Sequence, residues 1–189
     1  MHRKSLSLGL AAIIFAHGVA GAGEQFVDRN GIANFGYDVV AYHTSFTPTE
    51  GTADYAADYN GATFWFASAE NRDLFIGDPV AFAPAYDGHC AFALTSHKKL
   101  LVDPEAFSIV DPETGMQVDR NSYAPGEGTL YLNYDPGVNS KFNAELSSNI
   151  AKADFAWTDC LELRPAPEPR KRFSDLFGGG RPRDCPAAE

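Results

Sequence analysis

The stretch Tyr55-Ala56-Ala57-Asp58-Tyr59-Asn60-Gly61-Ala62-Thr63-Phe64-Trp65-Phe66-Ala67-Ser68 decides the fold class. Asn60-Gly61 is a two-residue turn signal, because both positions of a tight hairpin turn need positive φ. The aromatic run Thr63-Phe64-Trp65-Phe66 suits a strand. Tyr55 to Ala67 therefore reads as a β-hairpin. Ser68 can then cap a short helix through Phe75, since its oxygen can accept a bond from an unpaired first-turn amide. A hairpin followed at once by a capped helix predicts an α+β fold, with a small antiparallel sheet packed against several short helices.

The same devices recur outward from this point. Asp78-Pro79 starts another helical turn, because Pro at the first helical position loses no needed hydrogen bond. Asp103-Pro104 repeats that pattern and predicts a further helical turn. Thr129 to Tyr134 alternates like a strand. Phe142 to Trp157 reads as one or two helices, with Phe142, Leu146, Ile150 and Ala153 at helical spacing. Between them, 112–128 is a polar loop with Gly115, Pro125, Gly126 and Gly128, long for a connection and so expected to be functional or mobile. Tyr37, Tyr42, Trp65 and Tyr86 are expected in the core. No internal repeat is visible.

The ends read differently. Residues 1–22 have the form of a secretory signal peptide: basic His2, Arg3 and Lys4, an apolar run from Leu6 to Ala16, and Ala20-Gly21-Ala22 as a cleavage site. A periplasmic or secreted location follows as an expectation. An exported chain meets an oxidising compartment where disulfides persist. Residues 161–189 carry five prolines and Gly178-Gly179-Gly180. Such composition buries too little apolar surface to offset chain entropy, and predicts an extended tail. Its Arg170-Lys171-Arg172 run with Phe173, Leu176 and Phe177 reads as a solvated basic patch, with an anionic membrane or partner surface as the alternative. The domain between is expected over 23–160.

Charge narrows the partners. The 189 residues carry a formal charge of −10. Residues 23–160 hold 7 basic and 20 acidic side chains. Nonspecific nucleic-acid binding depends on Lys and Arg neutralising phosphates, so this acid excess argues against it. No apolar run reaches the roughly 20 residues of a spanning helix, so no integral membrane segment is expected in the mature chain.

Several blocks, in order, resemble a family. Phe35-Gly36-Tyr37-Asp38-Val39-Val40-Ala41-Tyr42 resembles the N-terminal signature of exported YHS-domain proteins. Residues 60–71 are similar to that family's hairpin-to-helix segment. Asp78-Pro79, Ala83-Pro84-Ala85-Tyr86, Gly88, Cys90-Ala91 and Lys98-Lys99 continue the likeness. So do residues 103–107, 130–134 and 150–154. The resemblance covers about residues 35–160 and implies a module related to small treble-clef-like and TRASH-like metal-binding domains, with copper, zinc or other heavy-metal handling. Metal-type relatives carry Cys where this chain has Ala41 and residues 67–71, so a tetrahedral thiolate cage is absent here. His43 and His89 stand where many exported relatives have aromatic residues, and His97 where a small residue is usual. The 112–128 loop resembles an insertion between two blocks that usually run together.

The candidate chemistry centres on Cys90. Without residues 1–22, the histidines are His43, His89 and His97, and the cysteines are Cys90, Cys160 and Cys185. Thiolate with imidazole is a good donor set for copper or zinc. Cys90, His89, His97 and His43 are therefore the candidate ligands of a transition metal, copper first, bound without catalysis. Within one helix Cys90 and His97 would stand roughly 10 Å apart, so a shared ion needs a bend near Thr95-Ser96 or His43 folded in. The bland alternative is a small buried side chain at Cys90 with exposed histidines. Two other functions stay open. One is a non-metal module binding a protein or small ligand through an aromatic pocket or acidic face. The other is a redox thiol at Cys90, activated by a nearby His. Cys160 and Cys185 flank the tail and are expected to pair. Asp111, Glu113 and Asp119 form a conceivable calcium site without the ligand spacing of a known calcium loop. No catalytic dyad, phosphate loop, GxSxG or HExxH motif is present.

Overall fold

The computed structural model describes residues 25–158. The expected signal segment 1–22, the tail 161–189 and the Cys160–Cys185 pair lie outside the described residues. Among the described residues the architecture is α+β, with two separate two-stranded antiparallel sheets and six helices.

The chain opens with a 3₁₀ turn at Asn34–Gly36, then α1 (Val39–Ser45). The hairpin β1 (Thr52–Tyr59) and β2 (Ala62–Phe66) closes on Asn60-Gly61, whose φ values are 49° and 80°. Strand β2 alternates, with Ala62, Phe64 and Phe66 buried. Phe64 and Phe66 pack at a tilt against Phe75, with ring centroids 4.9 and 5.1 Å away. Phe75 sits on α2 (Ala69–Gly77), and Ser68 caps that helix by accepting from the Asn71 N–H. Asp78-Pro79 opens α3 (Pro79–Phe82), as the sequence predicts.

A second 3₁₀ turn, Ala85–Gly88, leads to α4 (Ala91–Leu94). Then come β3 (Asp103–Val110) and β4 (Thr129–Asn133), α5 (Pro136–Ala144) and α6 (Leu146–Ala156). Asp103-Pro104 begins a strand here, not the expected helical turn. Asp103 does accept from the Glu105 N–H at 2.9 Å. That local turn falls within a register shift between Asp103 and Phe107, where a Pro without an N–H breaks no ladder bond. Strand β4 lies between two cores. Leu130 and Leu132 join the β1–β2 cluster, while Tyr131 faces Phe142, Leu94 and Ala153.

The sequence shows no repeat, but the fold does. The order 3₁₀ turn, helix, hairpin, helix, helix runs twice. In the first unit Thr52 pairs with Phe66, a bulge follows, and residues 56–59 pair with 65–62. In the second, Asp103 pairs with Asn133, a bulge follows, and residues 107–110 pair with 132–129. Both 3₁₀ turns end in three consecutive positive-φ residues, Asn34-Phe35-Gly36 and Tyr86-Asp87-Gly88. Each glycine stands two residues before the N-cap of the next helix, Asp38 or Cys90. Asp135 caps α5 through the Val138 N–H, as Ser68 caps α2. The hairpin turns are the main difference in length: two residues in the first unit, 18 in the second.

Asp38 ties the first unit together. One carboxylate oxygen accepts from the N–H groups of Val40 and Ala41 at the start of α1. The other accepts from the Ala67 N–H at 2.9 Å and the Asn71 amide at 2.7 Å. Four donors and no acceptor face this fully buried group. Removing the anion leaves three of those donors without partners, the Ala41 N–H keeping the Asp38 carbonyl, so Asp38→Ala should lower unfolding stability by about 3–5 kcal/mol. Ser68→Ala, which removes one exposed-end cap bond, should cost about 1 kcal/mol. Urea denaturation measures both, and an Asp38→Ala loss no larger than that of Ser68→Ala would contradict this ranking.

Candidate functional site

Cys90 holds the position in the second unit that Asp38 holds in the first. It precedes α4, its side chain is 1% exposed, and it is a free thiol. No side-chain cap bond forms at Cys90. Burial pushes the thiol pKa up, and the backbone N–H groups of Ala93, Tyr134 and Phe92 act against that rise. These N–H groups stand at the offsets from which Ala41, Ala67 and Val40 serve Asp38. The thiol faces the Asn133 side-chain oxygen at 3.8 Å. Asn133 is itself fixed: its oxygen accepts from the Phe92 N–H and its amide donates to Asn139. The sulfur is thus a neutral, sealed part of a polar joint.

The three imidazoles are all buried, His43 on α1 and the other two against the end of α6. His89 is edge-on to Phe26 at 5.7 Å and lies 5.9 Å from Trp157. His97 follows a bend at Thr95-Ser96, with φ 58°, and faces Phe155 at 6.4 Å. Lys99 places its ammonium 4.5 Å over the Trp157 ring. His89 and Lys99 thus both meet Trp157, and His97 meets Phe155, near the C-terminal end of α6, while His43 lies on α1 against other partners. The bend that a Cys90–His97 site would need is present, yet these two side chains face different partners. Among the described residues, no group of three or more His, Cys, Asp and Glu is arranged to hold a metal ion.

His43 has another role, which the sequence reading misses. The ring is 1% exposed, on the inner face of α1, edge-on to Phe82 of α3 at 5.3 Å. Its Nδ1 bonds the Tyr123 hydroxyl at 2.5 Å, across 80 residues of sequence. Tyr123 belongs to the second hairpin's 18-residue connection. Its oxygen accepts from the N–H groups of Gly126 and Gly128 at 3.1 and 3.2 Å. With both lone pairs taken, the phenol donates its only proton to Nδ1. The ring is therefore neutral, with its proton on Nε2. Burial lowers the His43 pKa to about 4, and no ionised neighbour contributes.

The same connection builds a cavity of about 600 Å³. Its first residues fold back on β3, with Asp111 N–H to Met116 and Val118 N–H to Ile109. The lining includes Asp111, Glu113, Asp119 and Glu127, with Met116, Val118 and Tyr123, and no Lys or Arg. Asp111 accepts from the N–H groups of Glu113 and Thr114, which hold its carboxyl below the usual range. Asp111, Glu113 and Asp119, the conceivable calcium ligands, thus share a cavity wall, but they are not grouped as a metal site. No family model, curated protein or solved structure matches the chain. No helix among the described residues is long and apolar enough to cross a membrane.

Two measurements check this geometry. The unfolded chain takes up the His43 proton first, because the folded pKa lies below 6.5. Stability from this group is complete above pH 6.5 and is lost as pH falls toward 4. Between pH 7 and 4.5 the wild type should lose about 2.5 kcal/mol more unfolding free energy than His43→Asn, which keeps an acceptor but does not titrate. Equal pH profiles would rule out a buried neutral ring. Cys90, followed by mass spectrometry of its own peptide, should alkylate at least about a hundredfold more slowly in the native protein than in urea. Rapid native alkylation at mildly acidic pH would restore the redox reading.

Proposed function

We propose that this chain is an exported, non-catalytic binding module whose acidic cavity takes a Lys- or Arg-bearing peptide segment of a partner protein. The observation that carries this reading is the 18-residue insertion. It turns a hairpin that its sister unit closes in two residues into the wall of a cavity lined by four carboxylates and no base. Met116 and Tyr123 add apolar surface for the aliphatic stem of such a side chain. A sulfur that is only 1% exposed gives less support to transition-metal capture.

The sister hairpin supplies the test. Replacing residues 111–128 with Asn-Gly should leave a folded protein, because Val110 and Thr129 pair as Tyr59 and Ala62 do. Titration with a tetralysine peptide at low salt should show binding to the wild type that weakens at least about tenfold in the replacement. Joint neutralisation of Asp111, Glu113, Asp119 and Glu127 to Asn or Gln should do the same. Neutralising exposed Glu50, Asp54, Glu70 and Glu145 should not. Equal losses in the two sets would reduce the interaction to net charge and end the proposal. Copper analysis of the same wild-type protein bears on the competing function: one tightly held equivalent, lost in Cys90→Ala and His89→Ala, would favour the metal.

A further inference from the structure

The cavity wall depends on a residue that does not line it. We infer that His43, acting through Tyr123, is the positioning residue that holds the insertion against α1 and so sets the acidic cavity. This rests on the reading of that cavity as a binding site, and the experiment below separates the two.

The geometry is specific. Tyr123 is the point where the insertion meets the first unit's interior. Its ring lies 6.1 Å from His43 in a stacked arrangement and edge-on to Phe46 at 5.4 Å. Its hydroxyl gathers three groups: it accepts from Gly126 and Gly128 and donates to His43 Nδ1. One oxygen therefore closes the turn from 123 to 128 and docks it onto α1. That turn carries Glu127, and the approach to it carries Asp119. Gly126 packs close to Ala81 and Phe82, where a Cβ would come within 3.3 Å of Ala81. The other contact with α1's end is Arg120, which lies 4.9 Å over the Phe46 ring and donates to the Phe46 carbonyl at 3.1 Å. Arg120 is exposed, so solvent competes for its bonds. On the histidine side the His43–Tyr123 bond ends at a ring only 1% exposed, so water substitutes poorly for the acceptor there.

A side chain that offers no acceptor at this point should free the turn while leaving both sheets intact. The test uses the full chain in three variants. His43→Leu removes the acceptor, His43→Asn restores one near the Nδ1 position, and Tyr123→Phe removes the donor from the loop side. Amide hydrogen exchange reads the turn without any ligand. Gly126 and Gly128 should exchange about tenfold faster in His43→Leu and Tyr123→Phe, with Ile109 and Leu130 unchanged, and should return toward wild type in His43→Asn. Nitrogen NMR of the wild type should show the His43 Nδ1 unprotonated. Tetralysine affinity should weaken with the exchange and recover with it.

Wild-type exchange at Gly126 and Gly128 in both His43→Leu and Tyr123→Phe would overturn the inference. So would faster exchange with unchanged peptide affinity, because the cavity would then not depend on the docked turn. If the wild type binds no tetralysine while the exchange pattern appears as stated, the ligand class falls and the anchoring role of His43 stands. If His43→Leu does not fold, Tyr123→Phe, altered in a partly exposed loop residue, gives the same two readings.

Discussion

A buried carboxylate at Asp38 is the constraint on which the first unit depends. A charge in an apolar interior is tolerable only when donors surround it. Four N–H groups from three chain segments do so here: the start of α1, the end of the hairpin and the first turn of α2. Because these donors cannot be replaced by water, the segments must arrive together. The positive-φ triplet ending in Gly36 makes the approach possible, since a Cβ there would press to 3.0 Å from the Trp65 ring. The joint therefore fixes the angle between helix and hairpin, and the phenylalanine cluster packs around it.

The second unit solves the same joint with different chemistry. Cys90 carries little charge to balance, so its cage is looser and the polar work passes to Asn133. That amide links α4 to β4, and through Asn139 to β3, where Ser108 also bonds Asn139 and Asn143. A thiol at a position built for an acceptor accounts for a Cys90 that is buried, with its pKa pushed up by that burial. The sulfur's surroundings follow from the architecture of the repeat, which is a sufficient reason for a cysteine that the sequence alone makes look chemical.

Much of the fold is legible because it rests on local signals. Asn60-Gly61, Ser68 and Asp78-Pro79 each act within four residues, and each sits where its chemistry predicts. Asp103-Pro104 misleads because its short-range turn is compatible with a bulged strand as well as a helix start. The repeat is hidden because its equivalent positions carry unlike residues, Asp38 against Cys90 and Phe66 against Asn133. What they share is hydrogen-bond geometry and register, which composition does not record. The site is least legible. His43, His89, His97 and Cys90 read as ligands when only their types and spacing are known. Their partners Tyr123, Trp157, Phe155 and Asn133 come from distant sequence. The one signal for Tyr123 was an aromatic residue amid glycines in a long polar loop.

Why a hairpin turn could accept 18 residues follows from polymer physics. Lengthening a loop from two residues to 18 is roughly three doublings, or about 2 kcal/mol of closure entropy. The insertion makes local contacts that offset part of that cost. Its first residues extend the β3 edge through a bridge between Val110 and Gln117, and Tyr123 brings its far end back to the first unit. An edge strand that would otherwise present open N–H and C=O groups is partly covered by the same residues. Four acidic side chains, Asp111, Glu113, Asp119 and Glu127, then line one cavity. Like charges on such a wall repel, and the repulsion is relieved when a cationic group enters. On the proposed function, the charged insertion would favour positive ligands, and its anchoring through His43 would hold the acidic side chains in place.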